Sequence, residues 1–383
     1  MADDTDFDGV TLDQLRRRRS WKWAEHPADV LPAWVAELDV PLAEPVRAAL
    51  QAALDAGDTG YAVAGELPAA YAEFAAARLG WSVDPARVAL VPDVMIGVAE
   101  ILRTATVPGD PVVINPPVYP PFAETLAEVG RPVLPAPLAR SGAGWELDLD
   151  ALAAAFRAGA RAYVLCSPHN PVGRVWSRAE LTRVAELAER HGVLVLSDEI
   201  HAPLVLPGST QVPYLTVEGA AGHGIVLTSA SKGWNLPGLK CAVAVAGSDR
   251  MRGVLDRLPT ASHYRAGHFG VLANVAAFRD GGRWLDALVR HLDRNRRLLG
   301  DLLAERLPEV GYRPPEASFL TLLDLRAYGL GDDPAAVLLE RGRVALSGGL
   351  DFGAEAAGWA RLNIGTSRAL LTEAVDRMVS ALR

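Results

Sequence analysis

Cysteine is nearly absent from this chain of 383 residues. The two present, Cys166 and Cys241, each lie inside an apolar run, "YVLCSP" and "LKCAVAV". They read as small buried strand residues, which argues against a disulfide framework or a cysteine metal centre. Long hydrophobic runs are missing too: no apolar segment approaches the roughly 20 residues a membrane-spanning helix needs. The amino terminus, "MADDTDFDG", is acidic rather than leader-like. A reducing, cytoplasmic setting with no membrane partner is expected. Nor is there a basic excess. The formal net charge is -8, whereas nucleic-acid binding needs a surface that neutralises phosphates, so no nucleic-acid partner is expected. The run Arg16 to Arg19 is the local exception and reads as a solvated or acid-paired helix end.

Half of the residues are hydrophobic, enough for a large core divided between about two domains. Short apolar runs closed by Pro, Ser, Asn or Gly recur through the middle of the chain: "RVALVPD", "PVVINPP", "RPVLPAPL", "AYVLCSP", "VLVLSDE", "GIVLTSAS" and "KCAVAVAGS". They read as seven strands buried on both faces. Helical stretches fall between several of them, at Val94 to Ala105, Phe122 to Val129 and Arg178 to Arg190. Strand alternating with helix implies an α/β fold with a mainly parallel sheet covered on both faces. From about Gly281 a long amphipathic helix takes over, followed by strand-like "SFLTLLDL" and "WARLNI" and a closing helix near Ser367 to Leu382, the pattern of a smaller α+β domain. The first forty residues, with Pro32 and Pro41, read as an extended arm packed on it. The expected division is 1–45 for the arm and part of the small domain, 46–285 for the large domain and 286–383 for the rest of the small one.

Ligands of open α/β sheets gather at the carboxyl ends of the strands. The polar residues expected there are Asp93, Asn115, Ser167 with Asn170, Asp198 with His201, and Ser229 with Lys232. Nucleotide signatures fail: "GAAGHG" follows no strand, and no glycine-rich loop precedes a Lys-Ser or Lys-Thr pair. No closely spaced histidine pair suggests zinc. One lysine stands out. Lys232, in "TSASKGWNLPG", sits where a buried strand meets a loop of hydrogen-bond donors, a setting that lowers an amine's pKa by desolvation and readies it to attack a carbonyl.

"SPHNPVG", "SDEIH" and "SASK", in that order and spacing, resemble the signature of fold-type I pyridoxal phosphate enzymes, the aspartate aminotransferase superfamily. "AWVAELDVPLAEPV", "LCSPHNPVGRVW", "ERHGVLVLSDEIHAPLV", "LTSASKGWNLPGL" and "RLNIG" resemble its MalY/PatB branch, the carbon-sulfur lyases of cystathionine β-lyase type, from about Arg16 to the C-terminus. The resemblance implies pyridoxal 5'-phosphate as cofactor and a small amino-acid substrate. Lys232 would hold the cofactor aldehyde and then move the Cα proton. Asp198 would pair with the pyridine nitrogen, and Asn170 with the ring oxygen; an exposed carboxylate and a turn-forming Asn-Pro are the plain readings of these two. Tyr119 would stack on the ring, if it is not simply a core aromatic, and His201 would lie near the cofactor, if it is not a structural histidine. Val94 and Met95, at a helix start, would present backbone N–H groups to the phosphate, with Ser229 adding a hydroxyl and Lys240 a cation. Tyr61, in "DTGYAVAG", would reach the phosphate of a second subunit, making the working unit a homodimer. Arg361, in "RLNIG", would clamp the substrate α-carboxylate; a surface-paired strand arginine is the alternative.

Two positions depart from the branch. Asp93 places a carboxylate near the phosphate, where it reads as the N-cap of the helix from Val94 with its side chain turned aside. Lys240 is a cation where the branch is often neutral, more as in aminotransferases. The expected activity is α,β-elimination of cystathionine or another S-substituted cysteine to pyruvate, ammonia and a thiol. The rivals are an aminotransferase of the same fold and a cofactor-bearing regulatory protein. Trp34, His263, Tyr264 and Arg265 are expected to line the substrate pocket.

Overall fold

The computed structural model describes residues 6–141 and 144–382. Met1 to Thr5 of the acidic amino terminus lie outside the described residues, as does the side chain of His263. All seven expected strands form one sheet: β1 (Val88–Val91), β2 (Val112–Ile114), β3 (Val133–Pro135), β4 (Ala162–Cys166), β5 (Leu194–Asp198), β6 (Gly224–Thr228) and β7 (Ala242–Ala246). Their spatial order is β1-β7-β6-β5-β4-β2-β3. Only β7 runs against its neighbours; the remaining pairings are parallel. The sheet separates two apolar layers. Tyr163, Leu165, Val195 and Val226 face one, and Val164, Cys166, Leu196 and Leu227 face the other. Alternate residues of each strand thus enter different cores, which is why these runs are apolar throughout. The edge strand β3 departs from the expectation: Val133 and Pro135 are exposed, because among the described residues no strand pairs beyond it.

Helices α1 (Val94–Ala105), α2 (Pro121–Glu128) and α3 (Arg178–His191) fall close to their expected limits. The ends of α3 follow from local chemistry. Ser177 and Glu180 form a capping box at its start, and Gly192, at φ 65°, closes it in the left-handed conformation that glycine adopts without strain. Helix α4 (Gly282–Arg306) leads to a second, antiparallel sheet of β8 (Gly311–Tyr312), β9 (Leu320–Asp324), β10 (Ser347–Gly348) and β11 (Trp359–Asn363), in the order β8-β9-β11-β10. Helix α5 (Arg368–Leu382) packs on α4. Among the described residues no helix is long and apolar enough to cross a membrane.

The amino-terminal arm is less extended than expected. Leu12–Arg16 and Trp21–Ala24 are short helices, the first closed by a capping box from Thr11 and Gln14, and Leu31–Pro32 pairs in parallel with Val344–Ala345. The arm also touches both sheets rather than only the smaller one. The Asn235 side chain, just beyond β6, binds the backbone of Leu38 at both N (2.8 Å) and O (2.9 Å). Asn363 of β11 donates to Val35 O and Glu37 O, each at 2.7 Å. Arg18, from the basic run, has no acidic partner among the described residues; it donates to the carbonyls of Leu38 and Val40. Beneath the arm, buried Lys22 pairs with buried Asp39 at 2.8 Å, and Asp39 also accepts from Trp23 Nε1 at 3.0 Å. A buried pair adds little net stability, but removing one partner costs about 3–5 kcal/mol, so this contact holds the arm to one path.

Candidate active site

The carboxyl ends of β1, β4, β5 and β6 open into a cavity of about 240 Å³ at the centre of the large sheet. Its lining includes Asp93, Val94, Met95, Tyr119, Asn170, Asp198, His201, Ser229, Lys232 and Lys240. Nine of the eleven residues to which the resemblance gives a role therefore line one space with Asp93. Arg361 is buried beside it and linked to it through Asn170. Tyr61 does not line it; it is 81% exposed, its ring edge-on to Tyr264. Asn115 and Ser167 do not line it either. The Asn115 side chain is consumed by Ala136 O and the Tyr163 hydroxyl, and Ser167 is a backbone partner of Asp198.

Lys232 lies on the short helix Ala230–Gly233, where Ser229 is the N-cap. Its Nζ donates to Ala36 O of the arm at 3.0 Å. Burial pushes the amine down to about 8, and the charge of Arg361 pushes in the same direction, against the pull of Glu37 and Asp198. Asp198 ends β5. One oxygen accepts from Ile200 N at 3.0 Å, and the other has no protein partner among the described residues. Burial raises this carboxyl to about 7, so a cationic ring nitrogen beside it would be strongly held. His201 is lowered to about 3 by burial and is neutral, with Nδ1 3.0 Å from Ser318 Oγ. Tyr119 is raised to about 12, chiefly by burial and then by Asp198, so its hydroxyl stays protonated.

Arg361, on β11, is the hinge between the two sheets. It donates to Asn170 Oδ1 (3.1 Å), Trp34 O (2.8 Å) and Ser347 Oγ (3.0 Å), and its carbon fork lies 4.7 Å from the Phe352 ring centre. Burial lowers it to about 10, and its Nε is buried without an acceptor among the described residues. A buried guanidinium held only by neutral acceptors is short of one anion.

The other end of the cavity suits a phosphate. The backbone N–H groups of Val94 and Met95, at the start of α1, find no acceptor among the described residues, and Lys240 Nζ lies close by, 3.2 Å from Asp93. Ser229 fits less simply: its hydroxyl donates to Cys241 O at 2.6 Å and accepts from Ser231 N at 3.0 Å. Its hydrogen is already used. Ser231, which sequence reasoning passed over, also lines the cavity and offers a hydroxyl from the same "SASK" stretch. Asp93 does cap α1, accepting from Ile96 N at 2.8 Å, but its side chain is not turned aside, since the second oxygen takes Lys240. Ala36 also went unforeseen, because a backbone carbonyl carries no side-chain signal. A desolvated lysine, a buried carboxylate, free amide hydrogens and a cation around one cavity fit pyridoxal phosphate.

The signature of the aminotransferase class I and II family matches residues 35–378. The chain is a member of that family. It is 48% identical over 400 residues to a Mycobacterium tuberculosis protein that carries a provisional cystathionine beta-lyase name, covering 97% of each chain. It is 35% identical over 363 residues to cystathionine beta-lyase PatB of Bacillus subtilis, covering 92% of this chain and 93% of that one. Among solved structures it superposes on cystalysin of Treponema denticola, which contains a pyridoxal 5'-phosphate cofactor, with a TM-score of 0.92 at 25% identity, covering 99% and 98% of the two chains. Pyridoxal phosphate is the family's cofactor.

The lowered pKa of Lys232 has a measurable sign. Its ordinary value is 10.5 and its value here about 8, so the nucleophilic neutral amine is gained as pH rises through 8 rather than through 10.5. The rate at which apoprotein takes up pyridoxal phosphate, followed by absorbance across a pH series, is expected to rise to a plateau with a midpoint near 8. A midpoint at 10 or above would mean that the amine is not desolvated.

Proposed function

We propose that this chain is a pyridoxal phosphate-dependent carbon-sulfur β-lyase, converting cystathionine or another S-substituted cysteine to pyruvate, ammonia and a thiol. The observation that carries the reading is Lys232, an amine desolvated to a pKa of about 8 on the floor of a cavity shared with Asp198 and bordered by Arg361. Full-length similarity to a cystathionine beta-lyase supports the choice of reaction. Bound in this cavity, pyridoxal phosphate supplies an electron sink for negative charge at the substrate Cα.

The protein's own groups divide the work. Lys232 would hold the cofactor aldehyde, and its Nζ would take the substrate Cα proton. Asp198 would offer its free oxygen to the ring nitrogen, Asn170 its amide to the ring oxygen and Tyr119 its ring for stacking, with neutral His201 lining the same cavity. The N–H groups of Val94 and Met95 and the Ser231 hydroxyl would receive the phosphate, with Lys240, paired to Asp93, beside them. Arg361 binds the substrate carboxylate, the anion its buried fork lacks. Trp34 O and Ser347 Oγ fix that fork and so would orient a bound substrate, and a good leaving group on Cβ would favour loss of thiolate. Two unpaired cysteines suit a reducing cytoplasm, the compartment we assign.

With cystathionine or S-substituted cysteines and no added keto acid, the purified holoenzyme is expected to release pyruvate, ammonia and free thiol in equal amounts. Replacing Arg361 with Lys should cut the rate about 100-fold, the scale expected for roughly 1 Å of misplacement. A sulfur-retaining keto acid formed only with an acceptor would point to an aminotransferase, and no turnover across the panel to a regulatory protein.

We also propose that the working unit is a homodimer. Tyr61 is 81% exposed and does not line the cavity that holds Lys232, a position that suits donation to a neighbour's phosphate site. Mixing inactive Tyr61→Phe and Lys232→Ala variants is expected to restore activity through mixed dimers that contain one intact site. Failure to recover activity after verified subunit exchange would place Tyr61 outside the shared site.

A further inference from the structure

Resting on the cofactor reading above, we infer that Asp93 and Lys240 form a compensated pair that weakens the hold on the cofactor's phosphate, with Lys240 serving first to cancel Asp93. Asp93 uses both carboxylate oxygens. One caps α1 through Ile96 N at 2.8 Å, and the other pairs with Lys240 Nζ at 3.2 Å. Capping does not call for the charge, since serine and asparagine cap as well as aspartate. Nor does the pair serve stability. Its side chains are 31% and 59% exposed, and such pairs contribute close to nothing.

The charge therefore matters for what lies beside it. The free N–H groups of Val94 and Met95 and the positive end of α1 draw an anion to this spot, and a carboxylate at the same helix end repels it. With Lys240 committed to Asp93, the side chains here offer an incoming phosphate no net positive charge. Lys240 is held to its place by the backbone. It adopts φ 54°, uncommon for a residue with a side chain, and its carbonyl accepts from Gly267 N at 2.7 Å. A Cβ on Gly267 or Gly270 would sit 2.2 or 2.3 Å from Leu239 O. Glycine at both points lets this backbone pass close to the Leu239 carbonyl, next to Lys240.

A phosphate ligand and a compensating lysine differ in a double-mutant cycle. Dissociation constants of the full-length apoprotein for pyridoxal phosphate, from absorbance titration, would be measured for the wild type, Asp93→Asn, Lys240→Met and the double variant. Asparagine keeps the cap and removes the charge. We expect Asp93→Asn to bind the cofactor about tenfold tighter and Lys240→Met about 100-fold weaker. In the Asp93→Asn background the lysine substitution should cost about tenfold or less. Pyridoxal, which lacks the phosphate, should show no coupling between the two positions. Equal costs of Lys240→Met in both backgrounds, weaker binding by Asp93→Asn, or the same coupling with pyridoxal would overturn the inference. Should Lys240→Met fail to fold, Lys240→Gln takes its place in the cycle. Absence of cofactor binding by the wild type would instead overturn the cofactor reading.

Discussion

The strap from Ala33 to Val40 is the constraint on which the site depends. It belongs to no helix and makes no ladder of its own, so its buried backbone groups must be satisfied by side chains and loops from elsewhere. They come from both sheets and from the arm: Asn235 on one side, Asn363 on the other, Arg18 and Lys22 from below, and the carbonyl of Gly365 on Asp39 N. Two carbonyls of the same strap then point at chemistry, Ala36 O at Lys232 and Trp34 O at Arg361. The amine on the large sheet and the guanidinium on the small one are thereby set against a common backbone. Loosening the strap at the buried Lys22–Asp39 pair would disturb both at once.

A second consequence is electrostatic. Lys232 and Asp198 share a cavity too dry to let either ionise normally, and each partly stabilises the other's charge. A folded protein that keeps an amine low and a carboxyl high gives up stability for it, because the unfolded chain would ionise both freely. The deficit is relieved when a ligand brings a carbonyl to one and a cationic nitrogen to the other. Destabilised groups of this kind collect at functional sites, and these two sit where the open sheet presents the ends of its strands.

Much of this was legible in the chain. Uninterrupted apolar runs closed by Pro, Ser or Gly marked the seven strands, because a strand that feeds two cores cannot alternate. Asp93, Asn170, Asp198 and Ser229, just after those runs, fell at the cavity because the parallel strands all end on one side, whereas Asn115 and Ser167 turned to structural partners. What escaped is what depends on backbone rather than side-chain type. The strap carries its function in carbonyl groups, and its sequence, "AWVAELDV", shows no pattern that says so. The exposure of β3 depends on its place at the sheet edge, which local composition does not encode. Asp93 and Lys240 lie 147 residues apart, and each alone looked like a misfit; only the fold makes them partners. Ser229 matched its expected position, yet its hydrogen bond to Cys241 O depends on how close β6 and the start of β7 approach.

The central claim is that Lys232 carries the cofactor. Borohydride reduction of the holoenzyme, followed by proteolysis and mass spectrometry, tests it directly. The pyridoxyl group is expected on the peptide containing Lys232, at a stoichiometry near one per chain, and to be absent from a Lys232→Ala variant. Its recovery on Lys22, Lys240 or any other amine would contradict the assignment of the site.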